Sequence, residues 1–232
     1  PDRLDRTRVG LRPVDGATVS VVSPDLRGAL GLFGGTFDPI HLAHLAVAEA
    51  ARDGCGLDEV IFIPAGTPPH KLARTISPAG DRLAMVEAAI ADNPGFSVSR
   101  LEIDRPGPSY TIDTLRAIRT STERELALVI SAEAFLELDT WRDPSAILDL
   151  AALVVAPRDG YPEAGPAYLE RTFPGVAARA VFLDGPRLRL SASELRARAS
   201  DGRSLRYLVP DAVASYIGDH ALYQTPRRMS TT

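Results

Sequence analysis

Residues 29–54, ALGLFGGTFDPIHLAHLAVAEAARDG, pass from an apolar run through a glycine pair into a helical repeat. The run ALGLFGG predicts a buried strand ending in a glycine turn, and LAHLAVAEAARDG predicts a helix closed by Gly54. A strand that enters a helix through glycines is the opening unit of a doubly wound sheet, and such sheets place their ligands at that junction. Gly34 and Gly35 would let the backbone approach a ligand closely. The helix start near Leu42 would offer free amides and the positive end of its dipole. The stretch contains neither GxxxxGK[ST] nor GxGxxG, so it predicts a phosphate cradle unlike a Walker loop or the usual dinucleotide fingerprint. His41 and His44, three apart, either face one ligand from the first helical turn or serve as hydrogen-bonded helix caps.

Outward from this unit, EVIFIPA predicts a second strand, followed by the Pro-rich loop GTPPHKLARTIS and a helix from about Pro78 to Ala91. FSVSRLEI predicts a strand, TIDTLRAIRT a helix, ELALVIS a strand, AEAFLEL a helix and AALVVAP a strand. Residues 157–178, rich in Pro and Gly, predict a surface excursion. ARAVFLD predicts a last short strand before a helical segment from Ser191 to about Tyr223. Ser191 and Glu194 have the spacing of a capping box at its start. Strands alternating with helices at this spacing predict an α/β fold with a doubly wound parallel sheet covered on both faces. The expected organisation is a loosely ordered extension over 1–27, an α/β domain over 28–190, a helical segment over 191–224 and a tail over 225–232.

The chain has 232 residues, 45% hydrophobic and 24% charged, which is enough to bury a core of ordinary size. Its 26 basic and 30 acidic residues give a net charge of −4, so no global positive field favours nucleic acid or an anionic membrane. The lone Cys55 excludes an internal disulfide framework and a cysteine-rich zinc site, and suits a reducing cytoplasm. No apolar run approaches the roughly 20 residues that span a bilayer. Of the basic residues 25 are arginine and one is lysine, which singles out Lys71. His70 precedes it, so three of the four histidines and the lysine gather at two places, with only His220 elsewhere.

Five ordered stretches carry a resemblance. GGTFDPIHLAH at 34–44 resembles the GGxFDPxHxGH signature of the bacterial nicotinate mononucleotide adenylyltransferases, within the HxGH nucleotidyltransferase superfamily, with Ala43 at the Gly position. GTPPHK at 66–71 is similar to that family's substrate loop, PSYTIDTL at 108–115 to its SYTxDTL stretch, and LDTWRD at 138–143 to its LxxWxx element. LSASELRARASDGRSLRYLVPDAVASYI, beginning at Leu190, is similar to the family's C-terminal pattern. The resemblance runs from residue 29 to 223.

It implies a Rossmann-like nucleotidyltransferase fold and transfer of the adenylyl group of ATP to nicotinate mononucleotide, giving nicotinate adenine dinucleotide and pyrophosphate. Such a reaction needs positioning and charge stabilisation and no protein nucleophile. The resemblance implies His41, His44, Lys71 and Arg196 as catalytic residues. The ATP site would comprise Gly34, Gly35, Thr36, Phe37, His41, His44, Ser131, Glu133, Ser193 and Arg196. The mononucleotide site would comprise Lys71, Tyr110, Thr111, Trp141 and Arg142, with Trp141 as a stacking plate or else a core residue. The amides at Tyr110 and Thr111 would meet the pyridine carboxylate. Mg²⁺ is expected with ATP and no protein metal site is expected; Asp38 is either a metal ligand or a structural turn residue. Where the family has GAD after the fourth strand, this chain has Ser131, Ala132 and Glu133, which implies a nucleotide site altered in detail. ATP and nicotinate mononucleotide are the expected partners, without nucleic acid or membrane, and a homo-oligomer is compatible with the sequence. The alternatives are a related transferase for another phosphate acceptor, such as nicotinamide mononucleotide or phosphopantetheine, and a nucleotide-binding homologue with impaired catalysis.

Overall fold

The computed structural model describes residues 24–68 and 76–224. Six strands, β1 (Leu30–Gly35), β2 (Glu59–Pro64), β3 (Phe96–Val98), β4 (Leu126–Ser131), β5 (Ala152–Ala156) and β6 (Ala180–Phe182), form one sheet in the order β3-β2-β1-β4-β5-β6. Every pairing is parallel. The helices are α1 (Leu42–Cys55), α2 (Ala79–Ile90), α3 (Leu101–Asp104), α4 (Thr111–Arg119), α5 (Ala132–Leu136), α6 (Pro144–Leu150), α7 (Pro166–Thr172), α8 (Ala192–Ser200) and α9 (Asp211–Asp219).

The apolar runs are buried on both sides, as parallel strands between two helix layers require. In β4, Ala127 and Val129 enter a core with Ala48 of α1, Met85 of α2, Leu195 of α8 and Val213 of α9. The alternate residues Leu126, Leu128 and Ile130 enter the opposite core with Leu115 of α4, Phe135 of α5, Ile147 of α6 and Leu169 of α7. The strand order reverses between β1 and β4, so a crevice is expected beyond Gly35 and Ser131, the carboxyl ends of these two neighbours. Among the described residues no helix is long and apolar enough to cross a membrane.

Several local expectations are corrected. The strand predicted over 96–103 stops at Val98, because the Ser99 amide makes a ladder bond to the Phe62 carbonyl while its hydroxyl accepts from Leu101 N and starts α3. Helix α1 runs through Gly54 and ends at Gly56, whose φ of 65° supplies the left-handed cap and whose N–H donates to the Arg52 carbonyl. No capping box forms at α8: the Ser191 and Ser193 hydroxyls lie 2.7 Å apart and share a hydrogen bond. The excursion over 157–178 contains α7, anchored by fully buried Leu169 and by the Tyr168 hydroxyl on the Leu136 carbonyl. The C-terminal segment is two helices, the second preceded by Pro210. Leu26 already packs into the core, whereas residues 1–23 and the tail 225–232 lie outside the described residues.

Candidate active site

The turn from β1 into α1 builds the first wall. Gly34 has open space where a side chain would project, whereas a Cβ at Gly35 would run into the Phe37 ring. Phe37 takes a positive φ of 50° and buries its ring edge-on to Phe33, with the His44 ring 5.1 Å away. Its side chain is therefore a core residue that backs His44. His41, the N-cap of α1, donates its backbone N–H to His44 Nδ1 at 3.2 Å, and the two imidazoles stack at 3.7 Å. Because Nδ1 accepts that bond, the ring proton sits on Nε2. The helix-cap alternative is realised at this turn, since His44 Nδ1 accepts from the His41 amide at the start of α1. His41 is buried and its Nδ1 has no hydrogen-bond partner among the described residues. Burial, reinforced by the charge of Arg158, pushes its pKa down to about 4, so it is neutral at physiological pH. Of the amides at the α1 start, Leu42 N–H is taken by the Leu208 carbonyl, which brings the C-terminal segment to this wall.

Asp38 makes the same connection through its side chain. It is buried and accepts from the Tyr223 hydroxyl at 2.7 Å and from Ser77 N at 3.3 Å. Arg196, in α8, donates to the Asp38 backbone carbonyl at 2.6 Å. Asp38 is therefore a structural fastener, and its carboxylate oxygens are already engaged. The Tyr223 phenol is held well above its usual range by burial and by its hydrogen bond to that carboxylate. Ser193 is exposed on the same helix.

Beyond β4, the Ser131 hydroxyl accepts from Ala134 N and caps α5, which gives a local reason for serine at that position. Glu133 pairs with Arg158 at 3.2 Å. On the other side of the crevice, Tyr110 is the N-cap of α4 and Thr111 its first residue. The Arg142 guanidinium lies 4.8 Å from the Tyr110 ring centre and 3.6 Å from Asp113. Trp141, half-buried, follows a 3-10 turn over Leu138–Thr140 and packs against the core that holds α4. Lys71 and His70 lie outside the described residues.

Three residues that sequence reasoning did not single out organise these walls. Arg82 of α2, 1% exposed, donates to the carbonyls of Thr36 at 2.8 Å, Ser77 at 3.0 Å and Gly66 at 3.3 Å. Its signal was present: Arg82, Met85, Val86 and Ala89 follow the spacing of one buried helix face. Arg158 follows β5 and places its field on His41, with no periodic signal to mark it. Tyr223 is likewise unmarked in sequence.

A sequence model of the cytidylyltransferase-like family matches residues 32–198, and the six-stranded all-parallel sheet fits that nucleotidyltransferase class. The chain is 47% identical over 195 residues to the "Probable nicotinate-nucleotide adenylyltransferase" of Roseiflexus sp. (strain RS-1), covering 84% of this chain and 98% of the relative. It is 41% identical over 204 residues to the protein of the same name from Thermomicrobium roseum, covering 88% and 95%. The chain belongs to the nicotinate-nucleotide adenylyltransferase family. The Plasmodium falciparum nicotinic acid mononucleotide adenylyltransferase complexed with NaAD shares its fold, with a TM-score of 0.72 at 16% identity over 85% of this chain and 98% of that one.

Proposed function

We propose that the protein transfers the adenylyl group of ATP to nicotinate mononucleotide, forming nicotinate adenine dinucleotide and pyrophosphate. The observation that carries this reading is the meeting of two distant helix starts. Stacked His41 and His44 open α1, and Arg196 of α8 reaches the loop just before them. A triphosphate lying over Gly34 would meet amide dipoles, two stacked imidazoles and a guanidinium.

A phosphate oxygen of the mononucleotide attacks the α-phosphorus, a P–O bond forms, and the bond from the α-phosphorus to the pyrophosphate oxygen breaks. No protein atom is transferred, so the residues act by alignment and by stabilising charge. His44 Nε2–H donates to oxygens that gain charge as pyrophosphate leaves. Neutral His41 stacks behind it, and Arg196 and Lys71 neutralise phosphate charge. The backbone of Gly34 to Phe37 lines the triphosphate with Ser193, while Ser131 and Glu133 border the nucleoside end. Tyr110, Thr111 and Arg142 present amides and positive charge to the pyridine carboxylate, against which Trp141 stacks the ring. This favours the acid over nicotinamide mononucleotide.

Nucleotidyltransferases of this kind use a divalent cation. Among the described residues no three His, Cys, Asp or Glu side chains group to hold a metal, and Asp38 is engaged by Tyr223 and Ser77. Mg²⁺ is proposed to enter on the ATP phosphates. A cytoplasmic location is part of this reading, in keeping with the single Cys55. The test is pyrophosphate release with Mg-ATP and each mononucleotide in turn. Release dependent on nicotinate mononucleotide is expected; release only with another acceptor would overturn the substrate assignment.

A further inference from the structure

The two walls of the crevice come from different parts of the chain, and a polar lock joins them at Gly66. Glu102 of α3 is buried and accepts from the Thr114 hydroxyl of α4 at 2.7 Å. Arg105 donates to that hydroxyl in turn, at 3.0 Å. Ser109, the residue before the α4 cap, lies beside the same carboxylate and favours its charged form, and its hydroxyl accepts from Gly66 N at 3.0 Å and Thr67 N at 3.3 Å. Ser109 N–H donates to the Thr67 carbonyl at 2.9 Å, so the two segments are bound in both directions. The Gly66 carbonyl accepts from Arg82, whose guanidinium also holds Thr36 in the β1–α1 turn. A side chain at Gly66 would strike the Glu102 backbone carbonyl, so the junction closes only around glycine. Ser109 thus ties the Gly66 segment to the start of α4, while Glu102 ties α3 to α4 through the Thr114 hydroxyl.

We propose that Ser109 and Glu102 are positioning residues that lock the Gly66 segment to the start of α4 and thereby hold the mononucleotide-binding helix end in register with the triphosphate wall. This rests on the adenylyl-transfer reading for its kinetic consequence. The lock itself does not depend on which acceptor is used. Steady-state kinetics and amide hydrogen exchange on the full chain test it with Ser109→Ala, Ser109→Thr and Glu102→Gln.

Ser109→Ala is expected to raise the nicotinate mononucleotide KM about tenfold, in keeping with the loss of one or two hydrogen bonds, while the ATP KM stays within about twofold. Ser109→Thr, which keeps the hydroxyl, is expected to restore most of the loss. Glu102→Gln replaces one acceptor oxygen with an NH₂ donor and removes the carboxylate charge beside Arg105, and should raise the same KM in the same direction. Exchange at the Gly66 and Thr67 amides should quicken about tenfold in Ser109→Ala. Unchanged exchange at those amides would overturn the lock. Parallel rises in both KM values, or no rescue by threonine, would overturn the positioning role. If the wild-type protein released no pyrophosphate with nicotinate mononucleotide, the substrate reading would fall while the exchange measurement still decided the lock.

Discussion

The Tyr223 hydroxyl donates to Asp38 Oδ1 at 2.7 Å, joining residues 185 apart in the sequence. Through this bond, and through Arg196 on the Asp38 carbonyl, the end of the chain fixes the loop that leads into His41. The loop is thus a product of tertiary closure. Tyr223→Phe keeps the ring and leaves a buried carboxylate oxygen without that donor, at a cost of ~1–3 kcal/mol. A thermal or denaturant melt should show this loss. An unchanged melting temperature would show that Asp38 needs no such partner.

Arg82 offers a second test of loop construction. Arg82→Met preserves most of the apolar stem but withdraws donors from the carbonyls of Thr36, Gly66 and Ser77. A destabilisation of ~3 kcal/mol is expected, with turnover falling more than tenfold, because both loops lose a shared support. Wild-type turnover in a stably folded variant would remove Arg82 from the positioning scheme.

His41 gives the protein an acid-sensitive element. Its pKa lies near 4 in the fold against about 6.5 in an unfolded chain, so between those values the unfolded state binds the extra proton. Stability from this group is present above about pH 6.5 and is lost as pH falls toward 4, by up to ~3 kcal/mol. Denaturation of wild type and His41→Gln across pH 4–7 should show a steeper slope in wild type. Bound ATP should raise the imidazole midpoint seen by NMR, since phosphate charge favours the imidazolium. Equal slopes would contradict the buried neutral histidine.

Trp141→Ala should raise the nicotinate mononucleotide KM about tenfold while kcat changes by less than about threefold, since ring stacking is present before and during reaction. Initial rates over a range of mononucleotide concentration measure the split. An unaltered KM would assign Trp141 to packing alone.

How far the sequence spoke can be read from these residues. Apolar runs such as ALVVA in β5 and the glycine turn after Phe33 announce buried parallel strands, because burial on both faces leaves few other solutions. The motif strings singled out His41, His44, Tyr110 and Arg196, and of these Arg196 of α8 reaches the Asp38 carbonyl in the loop that leads into His41. Glu102 was hidden because a period-two pattern over 96–103 resembles a strand until the Ser99 hydroxyl turns the chain into α3. Arg158 and Tyr223 were hidden for a different reason: each reaches the site through partners remote in sequence, and no local pattern records that. Arg82 alone among the missed residues left a trace, as a charge on an apolar helix face.

The central claim is that His44, capped at Nδ1 by the His41 amide, donates from Nε2 to the departing pyrophosphate. Its most direct test is the single-turnover rate of His44→Ala with saturating Mg-ATP and nicotinate mononucleotide, beside the ATP Kd of the same variant. A fall of about a hundredfold in rate, ~3 kcal/mol of transition-state stabilisation, is predicted with an ATP Kd within about threefold of wild type. A wild-type rate in the folded variant would contradict it.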